Sequence, residues 1–89
     1  MSWQPLINGF KTYQMLERSF SGNTVEAYLR DVEKIVQFFQ LKEWNLSPQQ
    51  VERKHLEAFL FWLNDLGLGA TSQARILSGL RTFYKYLLL

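Results

Sequence analysis

The sequence predicts an all-α domain of four main helices. Two observations carry this. Apolar residues recur three and four apart along nearly the whole chain, and no useful stretch alternates as a strand would. Helix start and stop signals (Pro5, Asn23, Ser47-Pro48, Gly67 and Gly69) cut that periodic text into four pieces. At 89 residues, 47% of them hydrophobic, there is material for one core and one domain, spanning residues 1–89. A core of this size buries roughly 60–65% of the unfolded chain's surface, enough to fold without staples.

The first helix starts near Pro5, a residue suited to a first turn, and its apolar stripe is Leu6, Phe10, Tyr13 and Leu16. It ends around Arg18 to Phe20, where Ser21-Gly22-Asn23 signals a turn. The second helix begins at Asn23 as N-cap, with Glu26 completing a capping box. Val25, Tyr28, Leu29, Val32, Ile35, Val36 and Phe39 form its buried stripe, which stops near Leu41; Asp31 lies off it. Lys42 to Leu46 connects to a second start signal, Ser47-Pro48-Gln49-Gln50. The third stripe is Val51, Leu56, Phe59, Leu60, Leu63 and Leu66, and the imperfect turn from Val51 to Leu56 allows a break near Glu52 to Lys54. Gly67 ends this helix in a left-handed conformation. The fourth helix follows Gly69 and buries Ile76, Leu77, Leu80, Phe83, Tyr84 and Leu87. Its other face carries Thr71, Ser72, Arg75, Ser78, Thr82 and Lys85. The run Leu87-Leu88-Leu89 has no cap and no polar end, which reads as a cut inside a larger protein.

Chemistry is mostly excluded. Zero cysteines rule out disulfides and cysteine zinc sites, and one histidine rules out a multi-histidine metal site, so no metal or cofactor is expected. His55, between Lys54 and Leu56 in a helical pattern, reads as a surface histidine and not a base. Gly67-Leu68-Gly69 lacks the lysine of a phosphate loop. Glu26 with Arg30, and Asp31 with Lys34, read as surface pairs. No apolar run approaches the ~18–20 residues of a membrane span. Met1-Ser2-Trp3-Gln4-Pro5 lacks the basic start and apolar core of a secretory signal, and with no cysteine this fits a reducing cytoplasm.

Charge is informative by its distribution. The net +2 is modest, but no acidic residue follows Asp65, while Arg75, Arg81 and Lys85 do. The last quarter therefore carries +3 on a body of −1. Two helix starts combine amides, hydroxyls and basic groups suited to phosphates and base edges: Asn23-Thr24 with Arg30 and Lys34 beyond, and Thr71-Ser72 with Arg75 and Ser78 beyond. The bland reading of the same residues is that Asn23, Thr24, Thr71 and Ser72 cap helices. Among the aromatics, Phe61 and Trp62 fall beside the main stripe. Trp3 and Phe10 serve either the core or docking of a neighbouring subunit.

Two segments carry a family resemblance. Asn23-Thr24-Val25-Glu26-Ala27-Tyr28-Leu29-Arg30-Asp31-Val32 resembles the N-T-x-x-x-Y-x-x-D-(L/V) signature of the tyrosine recombinase N-terminal domain. The stretch from Ala70 to Leu87 resembles the family's later S-x-x-R-x-L-S-x-L-R-x-F-Y-x-Y/F-L pattern, at the matching separation. The likeness runs from about Pro5 to Leu89 and is strongest to the Xer (XerC/XerD-like) recombinases.

The resemblance implies a SAM-like core-binding domain, an orthogonal helix bundle that clamps double-stranded DNA during site-specific recombination and integration. Its second helix would contact the major groove through Asn23, Thr24, Ala27 and Arg30, and its fourth through Thr71, Ser72, Arg75 and Ser78. Arg81 and Lys85 would meet phosphates, and the first helix would touch other recombinase protomers in a synaptic tetramer. The family's nucleophilic tyrosine belongs to a separate catalytic domain. Tyr28, Tyr84 and Tyr86 are therefore not it, and no catalytic residue is expected in this chain. Chromosome partition and mobile-element integration share such a domain. The alternative is a SAM-like protein–protein interaction module that docks through Trp3, Phe10 and Phe61 and is indifferent to Arg75.

Overall fold

The computed structural model describes residues 3–89; Met1 and Ser2 lie outside the described residues. Four α-helices follow in order: α1 (Gln4–Leu16), α2 (Gly22–Lys42), α3 (Arg53–Asp65) and α4 (Ala70–Leu87), with one 3-10 turn at Pro48–Gln50. Among the described residues there is no strand, as the all-α expectation requires. The most extensive helix pairing is between α2 and α4, with α1 laid against both and α3 closing the other end.

The α1 seam sits one residue round from the expected stripe. Trp3, Ile7, Phe10 and Gln14 are buried, Leu6 and Tyr13 only flank the core, and Leu16 is 74% exposed. Trp3 sets this register. Its indole N–H donates to the Leu46 carbonyl at 2.8 Å, and its ring stacks on Phe83 and meets Phe39 edge-on. Phe10 packs edge-on against Phe83. Both residues are thus core, at 6% and 0% exposure, which takes them out of the docking alternative. The helix also stops earlier than expected: Ser19 turns left-handed at φ 53°, and the Phe20 N–H closes back on the Gln14 carbonyl at 3.1 Å.

The start of α2 differs by two residues. Ser21, not Asn23, is the N-cap, and its hydroxyl oxygen accepts the Thr24 N–H at 3.3 Å. The Asn23–Glu26 box is not formed, because an extended Ser21 two residues earlier already places an acceptor over the first turn. Ser47-Pro48-Gln49-Gln50 caps the 3-10 turn alone, with the Ser47 N–H donating to Gln50 Oε1 at 2.8 Å. The break near Glu52 is real. Glu52 is the N-cap of α3, and its N–H donates to His55 Nδ1 at 2.9 Å, so this histidine serves a helix start. Gly67 takes φ 92°, as expected of a left-handed helix end.

Phe59 and Leu63 of α3, and Ile76, Leu80 and Phe83 of α4, complete the core, with Phe38 of α2 against Phe59, Trp62 and Trp44. Leu66, expected on the stripe of α3, is half exposed, because the helix ends before it. Tyr84 donates its hydroxyl to the Pro48 carbonyl at 2.7 Å and ties α4 to the 3-10 turn. Among the described residues the ion pairs are Arg53–Glu57 and Arg75–Asp31. Neither Glu26–Arg30 nor Asp31–Lys34 forms, and Asp31 faces inward, not outward.

Candidate nucleic-acid interface

The first turns of α2 lie beside the middle of α4, and the start of α4 lies beside the middle of α2, so the two polar segments, nearly fifty residues apart in sequence, share one face. An open groove of about 340 Å³ runs between them, lined by Asn23, Thr24, Ala27 and Tyr28 from α2 and by Arg75 and Ser78 from α4. A second groove of about 450 Å³ continues along α2 and is lined by Arg30, Asp31, Glu33, Lys34, Gln37, Leu68, Ser72, Arg75 and Ile76. Arg75 stands at the join of the two.

The close approach of the helices has a single residue behind it. A Cβ at Gly79 would lie 2.7 Å from Asp31 Cβ and 2.8 Å from Asp31 Cγ, with Oδ2 nearer still. Glycine therefore lets α4 seat against the Asp31 side chain, which is 1% exposed. From there Asp31 accepts a forked pair of hydrogen bonds from Arg75, Nη2 to Oδ1 at 2.7 Å and Nη1 to Oδ2 at 3.3 Å. The Arg75 side chain remains 56% exposed, so its outer donors face the groove. Burial pushes the Asp31 carboxyl above its ordinary value of 3.8, outweighing the opposing pull of Arg75 and Arg30.

Seven of the ten residues expected at the interface line these two grooves: Asn23, Thr24, Ala27, Arg75 and Ser78 in the first, Arg30 and Ser72 in the second. Thr71 is exposed in the first turn of α4, beside but outside both. Arg81 is turned away. It lines an apolar groove between α3 and α4 with Leu56, Leu60, Leu77 and Tyr84. Lys85 is exposed near the end of α4 and lines neither groove. Asn23, Thr71 and Ser72 do not act as N-caps; Ser21 and Gly69 hold those positions. The sequence reading missed Asp31 and Gly79. A signal existed, because Phe38 is seven residues beyond Asp31 on the same helix face and is itself buried. No group of three or more potential metal-ligating residues occurs among the described residues.

A family model, the phage integrase N-terminal SAM-like domain, matches residues 7–89. The chain belongs to that family. The SAM-like domain also matches curated relatives at 30% identity and above. It is 36% identical to the tyrosine recombinase XerD of Chlorobaculum tepidum over 86 residues, covering 97% of this chain and 28% of the relative. It is 32% identical to XerD of Listeria monocytogenes serotype 4b, covering 93% and 28%. It is 36% identical to the tyrosine recombinase XerC of Lacticaseibacillus casei, covering 91% and 27%. This SAM-like chain thus spans a little over a quarter of the length of the relatives it matches. No solved structure matches it significantly. Among the described residues no helix is long and apolar enough to cross a membrane.

Proposed function

We propose that this chain is the DNA-binding domain of a site-specific tyrosine recombinase and grips double-stranded DNA through the α2–α4 face. The observation that supports this reading best is the convergence of Asn23, Thr24, Ala27, Ser72, Arg75 and Ser78 on adjoining grooves. Short polar side chains there leave room for base edges, and Arg30 and Lys34 stand beside them for phosphates. In this reading the chain positions DNA for a catalytic domain that lies outside these 89 residues, and it does no chemistry of its own. Contacts with other recombinase protomers belong to the same reading. On α1 the apolar side chains exposed for them are Met15 and Leu16, since Trp3 and Phe10 are in the core.

A labelled duplex titrated at low and moderate salt tests the reading. Affinity of about 10⁻⁴–10⁻⁶ M that falls steeply between about 50 and 200 mM salt is expected. Arg30→Ala/Lys34→Ala should weaken binding further. Absence of binding at low salt by the folded chain would remove the proposal. Phe61, 74% exposed, favours a protein-docking module as the second reading. That module would bind its partner with little dependence on salt.

A further inference from the structure

We infer that Asp31 is a positioning residue for Arg75: it fixes the guanidinium at the mouth of the α2–α4 groove and cancels its charge, so that Arg75 meets DNA as a hydrogen-bond donor to a base edge and not as a counter-charge to a phosphate. This rests on the DNA-binding reading above and goes one step into it. Asp31 is a fixed post, because it is almost wholly buried and α4 is seated on it at Gly79. Its two oxygens take one N–H from each terminal nitrogen of Arg75. Three N–H groups remain on the guanidinium: Nε–H and the second hydrogen of each terminal nitrogen. With the plane held by the fork and the side chain half exposed, those donors are presented in one orientation.

A guanine edge offers two acceptors that match two such donors. A phosphate would gain little from a cation already paired with a buried carboxylate. Arg30 and Lys34 make no ion pair among the described residues and line the adjoining groove, so they are the charges left for the backbone. Glu33 is the other acid facing that groove.

Salt dependence separates the two roles, because each phosphate neutralised steepens the plot of log affinity against log salt by about 0.9. The chain and its variants are titrated with a labelled mixed-sequence duplex across a salt series at mildly alkaline pH. Asp31→Asn keeps the side-chain shape and an acceptor but removes the charge, so Arg75 becomes a net cation and the slope steepens by up to about 0.9. The double variant Asp31→Asn/Arg75→Gln removes both charges and returns the wild-type slope. Arg30→Gln loses about 0.9. Circular dichroism on each variant confirms the helices. As a second readout, duplexes enriched from a randomised pool by wild type should show guanine at one position, and the double variant should lose that preference. An Asp31→Asn slope equal to wild type, with the double variant shallower by about 0.9, would show that Arg75 already neutralises a phosphate and would overturn the inference. Enrichment with no guanine preference would overturn the base-edge role. No duplex binding by folded wild type at low salt would instead sink the DNA-binding reading beneath it.

Discussion

Replacing Gly79 with alanine puts one methyl group into the tightest approach between α2 and α4. The new carbon would fall 2.7–2.8 Å from two Asp31 carbons, closer than real side chains pack. Asp31 cannot swing aside without leaving Arg75, and both helices are held along their length by Val32, Ile35, Ile76 and Phe83. Overpacking of this kind costs about 1–3 kcal/mol. Breaking a buried ion pair costs about 3–5 kcal/mol, of which only part applies here, because Arg75 is half exposed and can return to water. Alanine in a helix returns about 0.5–1 kcal/mol. The net expectation is a destabilisation of about 2–4 kcal/mol, or a Tm lower by roughly 10–25 °C for a domain of this size. Gly22→Ala is the control, since a Cβ there meets nothing within 4 Å. It should leave the Tm unchanged within a few degrees. Thermal melts by far-UV circular dichroism and urea titrations of both variants decide the matter. A Gly79→Ala protein as stable as wild type would refute the claim that α4 is seated on Asp31.

Three further outcomes are expected. The Tyr84 hydroxyl is pushed by burial from 10 to about 12, so the folded state favours its neutral form; that stability is complete below pH 10 and is lost as pH rises from 10 to about 12. Tyr84→Phe should flatten this alkaline loss, measured by urea midpoints across pH, and cost about 0.5–1.5 kcal/mol at neutral pH through the lost bond to Pro48. The Asp31 carboxyl is likewise raised above 3.8, so stability should fall as pH rises through the window just above 3.8, and Asp31→Asn should remove that slope. Trp3→Ala should cost about 3–5 kcal/mol in the same assay, whereas Leu16→Ala, on an exposed site, should change stability by less than about 0.5 kcal/mol.

Periodicity made the helices legible, because four amphipathic stripes with clear stops leave little choice of class. Registers were less legible. The α1 stripe was off by one residue because the anchor is Trp3, whose indole reaches Leu46, a contact over 43 residues that no local pattern contains. The α2 cap was displaced because Ser21 and Asn23 are both good cap residue types, and it is the extended Ser21 whose hydroxyl takes the Thr24 N–H. That Asn23, Thr24, Ala27, Ser72, Arg75 and Ser78 share one face was legible, because short polar residues in the first turns of α2 and α4 stood out from the apolar stripes. The side taken by Arg81 was not, since charge alone does not say which side of α4 faces α3. Asp31 was misread as a surface partner of Lys34 because its true partner, Arg75, is 44 residues away and its space is made by a glycine on another helix.

The most direct test of the DNA-binding face is to map backbone amide shifts of the labelled chain as duplex DNA is added. The expectation is that the largest changes cluster at residues 23–34 and 71–78, with α3, Phe61 included, quiet. Changes centred instead on Phe61 and Leu66, or on the Leu56–Arg81 groove, would place the ligand on another face and contradict it.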